Sequence, residues 1–292
     1  MFKIKNSIFV IAALFFALSL QAQSINNNEK SLLWEISGNG LEKPSYIFGT
    51  MHLVPKDDYF FTDKMKEKFE TCEKLILEID INIPLKKQIE IVKQVLLPKG
   101  KLLSDYMTAE EFDKFQSYIL DTLKIKKTTF KKINKIKPLL GSSLIINELA
   151  GKTKAYEQEL NKLAKKNKMS VEGLETMEFQ MGLINKISIE EQIKMMAEDD
   201  MTGNPMDAYN VMLEAYKKQD LFTLKTLMDA DDSMTGIEDD FLNNRNKDWI
   251  PKIEKLAKKS SVFIAVGAGH LPGDDGVLYL LKEKGYSVKA VK

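Results

Sequence analysis

Two histidines occur in the 292 residues, and each stands three positions after a glycine. The first closes the run Tyr46-Ile-Phe-Gly49-Thr-Met-His52, the second the run Phe263-Ile-Ala-Val-Gly267-Ala-Gly269-His270. Both follow, by a few residues, a stretch of apolar and β-branched residues. In open α/β sheets ligands bind beyond the carboxyl ends of strands. Glycine at such a place, here Gly49, Gly267 and Gly269, lets the backbone turn sharply and lets a ligand approach closely. Neutral imidazole is a common metal ligand. A lone histidine after a strand is more often a hydrogen-bonded structural residue. The repetition of one pattern by both histidines of a histidine-poor chain is what points to a shared centre.

Three further residues can complete such a centre. Glu78 lies inside the apolar run LILEI, and a buried carboxylate without a partner costs several kcal/mol even after the surroundings relax. It must therefore pair with a cation, bind a metal or stay protonated. Asp80 shares its side of the strand but lies nearer the end, where exposure is expected. Glu175 ends the run MSVEGLE, and Arg245 is an arginine in a chain whose other basic residues are lysines. A guanidinium offers a planar, permanent charge suited to carboxylates. An ordinary surface position is the plain alternative for Glu175 and Arg245. No H-E-x-x-H occurs, which excludes a zincin. The methionines at 195, 196 and 201 read as core filling.

These residues need elements to hold them. Strands are expected at Ser31–Ile36, Ser45–Phe48, Lys74–Asp80, Met169–Leu174, Ser261–Val266 and Tyr286–Val291. Thr62 caps a helix reaching Cys72, and Thr108-Ala-Glu-Glu111 and Ser188-Ile-Glu-Glu191 are capping boxes. Pro138 restarts a helix that Gly151 closes; Tyr156–Asn167 is helical; Asn204-Pro205 opens a helix to Lys218. Helical pattern resumes over Ile237–Lys259 and Gly273–Lys284. Strand, helix and strand at the C-terminus form a βαβ unit, so part of the sheet should be parallel. The expected fold is α/β: a central mixed β-sheet flanked by helices, with a large helical insertion lobe at about 84–168 and 188–259. With no Pro/Gly/Ser linker, residues 23–292 read as one domain.

Composition bounds the function. The formal net charge is +1, from 43 basic and 42 acidic residues. No overall charge excess points to nucleic acid or to an anionic membrane surface. The lysine runs at Lys124–Lys137 and Lys162–Lys168, broken by apolar residues at helical spacing, read as solvated faces. Cys72, the single cysteine, can form no internal disulfide and reads as a small core residue. Residues 1–22 (MFKIKNSIFVIAALFFALSLQA) join Lys3 and Lys5 to an apolar run and a small residue at Ala22, the pattern of a signal peptide. An exported protein, periplasmic or secreted, follows, with no stable membrane span once the signal is removed.

With these residues in view, the chain resembles the TraB/GumN family, which includes the Tiki metalloproteases and relates in fold to the ChaN and erythromycin-esterase group. The resemblance rests on YIFGTMHL, LILEID, VEGLETMEFQ, NNRNKDWI and VGAGHLPGDDGVLYLLKEKGY, and spans essentially the whole mature chain. It implies a metal-dependent hydrolase. By matching motif, His52 and His270 are its expected metal ligands and Glu78 a ligand or general base. Glu175 and Arg245 are expected to line the same cavity. Mixed imidazole and carboxylate ligation with open positions suits manganese, cobalt or zinc. The expected activity is peptide hydrolysis. The alternatives are a non-catalytic peptide- or haem-binding protein, and a metal-assisted esterase.

Overall fold

A computed structural model describes residues 29–198, 204–230 and 236–292. The expected signal segment and Met201 lie outside them. The strands are β1 (Leu33–Ser37), β2 (Ser45–Thr50), β3 (Val54–Pro55), β4 (Lys74–Ile79), β5 (Thr153–Lys154), β6 (Ser170–Glu175), β7 (Val262–Gly267) and β8 (Ser287–Ala290). The first six helices are α1 (Asp63–Glu70), α2 (Leu85–Val95), α3 (Ala109–Ser117), α4 (Lys127–Ile133), α5 (Pro138–Leu149) and α6 (Tyr156–Lys166). After β6 come α7 (Met177–Lys186), α8 (Ile189–Glu198), α9 (Pro205–Lys217), α10 (Leu221–Asp229), α11 (Asn244–Ala257) and α12 (Val277–Glu283).

Six strands form one mixed sheet in the order β6-β4-β7-β2-β1-β8. The pairs β6·β4, β4·β7 and β7·β2 are parallel, and β1 runs antiparallel to both β2 and β8. Five strands therefore point one way and β1 the other. The β7-α12-β8 unit keeps its two strands parallel in direction, as expected, but β2 and β1 lie between them. α12 also begins at Val277, later than the expected Gly273. Gly276 explains part of the delay: a Cβ there would stand 2.2 Å from the Pro272 carbonyl oxygen, so the chain turns tightly before the helix starts.

The central strands read as they pack. Val262, Phe263, Ile264, Ala265 and Val266 of β7 are fully buried, because a parallel strand covered on both faces has no polar side. Burying each large apolar side chain contributes about 1.5–3 kcal/mol. Phe48 and Phe263 from neighbouring strands meet Phe61, Phe69 and Tyr156 in an aromatic layer, with most ring centroids 5.0–6.2 Å apart. Cys72 is buried in this core.

The expected caps form. Thr62 accepts from the Met65 N–H, and Thr108 and Ser188 each exchange hydrogen bonds with the glutamate three residues on. A second core, around Leu103, Phe115, Ile119, Phe130 and Ile133, belongs to the helical lobe between β4 and β6. α6 joins the main core through Tyr156, Leu160 and Ala164. The helical stretch near residue 240 is not uniform: a wide π-type turn, Asp239–Asn243, precedes α11. Among the described residues no helix is long and apolar enough to cross a membrane.

Candidate functional site at the carboxyl edge of the sheet

Because β2, β4, β6 and β7 point the same way, the segments that follow them gather at one edge. Thr50 at the end of β2 pairs with Gly267 at the end of β7, so the two GxxH segments leave from neighbouring positions. Ile79 of β4 pairs with Glu175 of β6, which brings the two acidic strand ends together. α11 supplies Arg245, Asn246 and Trp249, which share one buried face of that helix.

Arg245 is the hub. Its Nη2 donates to Glu78 Oε2 at 2.7 Å and its Nε to Glu175 Oε1 at 2.8 Å. Its Nη1 donates to the Phe241 carbonyl at 2.8 Å, which lies in the wide turn, and lies 3.2 Å from His270 Nε2. The side chains of Arg245, Glu78 and Glu175 are 8%, 11% and 3% exposed, so both glutamates and the arginine are interior groups, and the plain surface reading of Glu175 and Arg245 is corrected. Glu78 receives two more donors: the Gly267 N–H to Oε1 at 2.8 Å, and Gln180 Nε2 to Oε2 at 3.1 Å. Trp249 donates its indole N–H to Glu175 Oε1, and Arg245 lies over its ring at 4.9 Å from the centroid. Asp80 is spent locally, accepting from the Asn82 N–H.

The motif glycines serve packing rather than conformation, since the left-handed backbone region contains none of Gly49, Gly267 and Gly269. A Cβ on Gly49 would stand 3.1 Å from the Ala268 Cα, and one on Gly267 would stand 3.3 Å from Glu78 Oε1. The two GxxH segments can touch each other and the acid only because those atoms are missing. Gly269 lies against Met228 of α10 in the same way.

His270 is buried and oriented. Its Nδ1 is 2.7 Å from Asn246 Oδ1, and Asn246 uses its amide nitrogen on the Asp275 carbonyl. That leaves Nδ1 as the donor. A guanidinium can only donate, so Nε2 presents its lone pair to Arg245. Burial, with Arg245 and His52 nearby, lowers its pKa to about 4 despite the Glu78 charge. Its ring packs on Trp249 at 4.4 Å between centroids. Burial would raise the Glu78 carboxyl, but nearby positive charge and the Gly267 N–H outweigh it and bring the pKa to about 2. Since His270 is neutral above about pH 4, Arg245 is its permanent cation.

His52 stands differently. Its side chain is 71% exposed and its Nδ1 is 3.1 Å from Glu157 Oε1. Glu157, in the first turn of α6, also accepts from Thr50 Oγ1 at 2.9 Å. The hydrogen bond to Glu157 raises the His52 pKa to about 9. Thr50, two residues before it, pairs with Gly267, three residues before His270, so both histidines leave the same edge of the sheet. The backbone between Gly49 and Leu53 is held from α9: Tyr216 donates to the Gly49 carbonyl at 3.0 Å and Tyr209 to the Leu53 carbonyl at 2.8 Å.

Sequence reasoning finds His52, His270, Glu78, Glu175 and Arg245 and misses Glu157, Gln180, Asn246 and Trp249. Trp249 had a usable signal, for it stands four residues after Arg245 on the same helix face, whereas Asn246, at i+1, did not. Glu157 had none, being 105 residues from its partner.

The donor types suit a divalent ion, but Arg245 already occupies the place between Glu78 and His270. Two buried carboxyl groups share one guanidinium, and Glu175 Oε2 is a buried atom with no hydrogen-bond partner among the described residues. His270 Nε2 is unprotonated and 3.8 Å from Glu78 Oε1, with its lone pair turned to Arg245. Among the described residues no three histidine, cysteine or acidic side chains converge on one point, because Arg245 stands between Glu78 and His270. A cavity of about 280 Å³ opens beside Glu175 and Arg245, walled by Phe179 and Trp249.

A family model described as TraB/PrgY/gumN matches residues 32–290. Neither the curated proteins nor the solved structures yield a match. The model spans both GxxH segments, both acidic strand ends and the arginine helix, and the chain therefore belongs to the TraB/PrgY/gumN family.

Proposed function

We propose that the chain is an exported hydrolase that cleaves peptide bonds at the carboxyl edge of the sheet with the help of a divalent ion, manganese, cobalt or zinc. The observation that carries this reading is the gathering of both GxxH segments at one sheet edge, beside two buried acids that share one arginine. His270 and Glu78 are the residues that would hold the ion, and His52, on giving up the proton that Glu157 helps it keep, would enter from the open side. When bound, such an ion polarises a carbonyl and lowers the pKa of a bound water toward ~7.

The chain's own residues do the rest. Asn246 fixes the His270 ring so that Nε2 faces the centre. Glu157 orients His52 through Nδ1 and leaves Nε2 toward solvent and substrate. Beyond its bonds to Glu175, Glu78, His270 and the Phe241 carbonyl, Arg245 has one Nη2 N–H to meet the oxyanion of a tetrahedral intermediate. The cavity walled by Phe179 and Trp249 is the place for a substrate side chain.

The test is cleavage of a broad peptide library by the purified protein, followed by mass spectrometry. Activity is expected with manganese, cobalt or zinc, and loss of about 10²–10⁴-fold in His52→Ala and His270→Ala. Equal cleavage in the presence of chelator, or with both histidines removed, would contradict the reading.

A further inference from the structure

The helical lobe exposes an apolar stripe that the hydrolase reading does not use. On α2 and its C-terminal neighbour, Leu85, Ile89, Val92 and Leu96 are 71%, 51%, 59% and 42% exposed. They stand at i, i+4, i+7 and i+11, on one face of a helix. Ile91, Gln94 and Val95 are the half-buried residues of the other face, and Lys87 reaches Glu178 of α7 at 3.6 Å. A contiguous exposed apolar stripe marks an interaction site. Beside it lies a groove of about 410 Å³ whose walls include Val92 and Leu96 from one side and Ile136 and Leu140 from the other, with Lys132 and Lys135 among its lining residues.

Charge around the stripe is one-sided. Residues 84–104 and 123–137, which supply α2 and the groove lysines, contain twelve lysines and one acid, Glu90, while the stretch between them, 105–122, holds five acids and one lysine. Eleven of those lysines are exposed; Lys137 is buried and bonded to Asn185. The chain as a whole carries only +1, so its basic charge is segregated onto this lobe. The balanced composition hid that segregation, and with it a reason to look for an anionic surface.

We infer that α2 and the adjoining groove form a docking face for an anionic lipid bilayer. The four apolar side chains enter the headgroup boundary while the lysines extend to headgroup phosphates. Two other occupants fit less well. A second copy of the chain would set the same lysines against one another. An acidic helix laid in the groove would cover Val92 and Leu96 and leave Leu85 and Ile89, which do not line it, in water. A flat anionic surface takes all four side chains and the lysines together. The docking face is independent of the catalytic centre.

The experiment is co-sedimentation of the purified protein with vesicles of phosphatidylglycerol and phosphatidylethanolamine, and with vesicles of phosphatidylcholine alone. Binding is expected to be about tenfold or more stronger on the anionic vesicles, as two or more lysines near such a surface provide, and to fall as salt rises. The double variants Ile89→Ser/Val92→Ser and Lys86→Glu/Lys93→Glu should each lose about tenfold of that binding with an unchanged melting temperature, since all four positions are exposed. Equal partitioning onto both vesicle types, or full binding by both variants, would overturn the inference. So would absence of vesicle binding together with a dimer in light scattering that Ile89→Ser/Val92→Ser dissolves, or with selective capture of an acidic amphipathic peptide.

Discussion

His270 and His52 follow neighbouring parallel strands, each three residues after a glycine, yet the side chain of one is 6% exposed and that of the other 71%. The difference lies in what reaches each ring. α11 lays Asn246, Trp249 and Arg245 over His270, so the imidazole is buried, neutral and fixed in one tautomer. Glu157 meets His52 from the first turn of α6, and that ring stays open to solvent and readily protonated. One motif thus yields a rigid interior donor and an accessible one. The proposed hydrolysis would use both: a fixed group to hold charge in place and an open group that substrate and water can reach.

Removing the hub should separate the two halves most sharply. Arg245→Leu leaves Glu78 and Glu175 buried without their cation and is expected to cost about 3–5 kcal/mol of folding stability in chemical denaturation. His52→Ala should change stability by no more than about 0.5 kcal/mol while removing the proposed peptide hydrolysis. If both variants destabilise alike, the two rings are not in the contrasting settings described.

Acid should then expose the interior half. His270 is held near pH 4 in the fold, against an ordinary value near 6.5 for an unfolded chain. Between those values the unfolded chain binds the extra proton. Stability of the metal-free protein should therefore fall as pH drops from about 6.5 to about 4, by on the order of 3 kcal/mol, and this contribution should level off below. His270→Gln should flatten that window. His52 has the opposite sign: its raised pKa adds stability that is complete below about 6.5 and fades as pH rises through about 9, and solvent screening keeps it small.

Two smaller changes refine the contrast. Trp249→Phe removes the indole donor from Glu175 but keeps an aromatic surface under His270, and should cost about 1–2 kcal/mol in denaturation. Glu157→Gln should leave stability within about 1 kcal/mol and bring the His52 pKa down toward its ordinary value, read by NMR titration. A titration of His52 unchanged in that variant would remove Glu157 from the site.

The sheet was legible because its chemistry is local and repetitive. The apolar run of β7, the buried stretch around Glu78 and the capping residues Thr62, Thr108 and Ser188 each declare their element within a few positions. Strand order was not legible: β8 follows β7 in sequence with one helix between, and nothing in those residues says that β2 and β1 intervene. The wide turn before Arg245 was hidden for a related reason, since helical periodicity does not distinguish a π-type turn from an α-helical one. At the site, residues that announce themselves by rarity or by an unusual apolar setting, such as His270, Arg245 and Glu78, were readable. Partners supplied at long range, Glu157 to His52 and Tyr216 to the Gly49 carbonyl, required the fold.

The central claim is that both GxxH segments serve one centre, and the chain's two histidines make it directly measurable. In protein labelled with ¹⁵N at histidine, two side chains give the imidazole signals, and manganese added in small steps broadens any ring that lies near the bound ion. The account predicts that His52 and His270 broaden together and saturably, and that His270→Ala abolishes the effect on His52. Broadening of the exposed His52 alone, unchanged by His270→Ala, would contradict it.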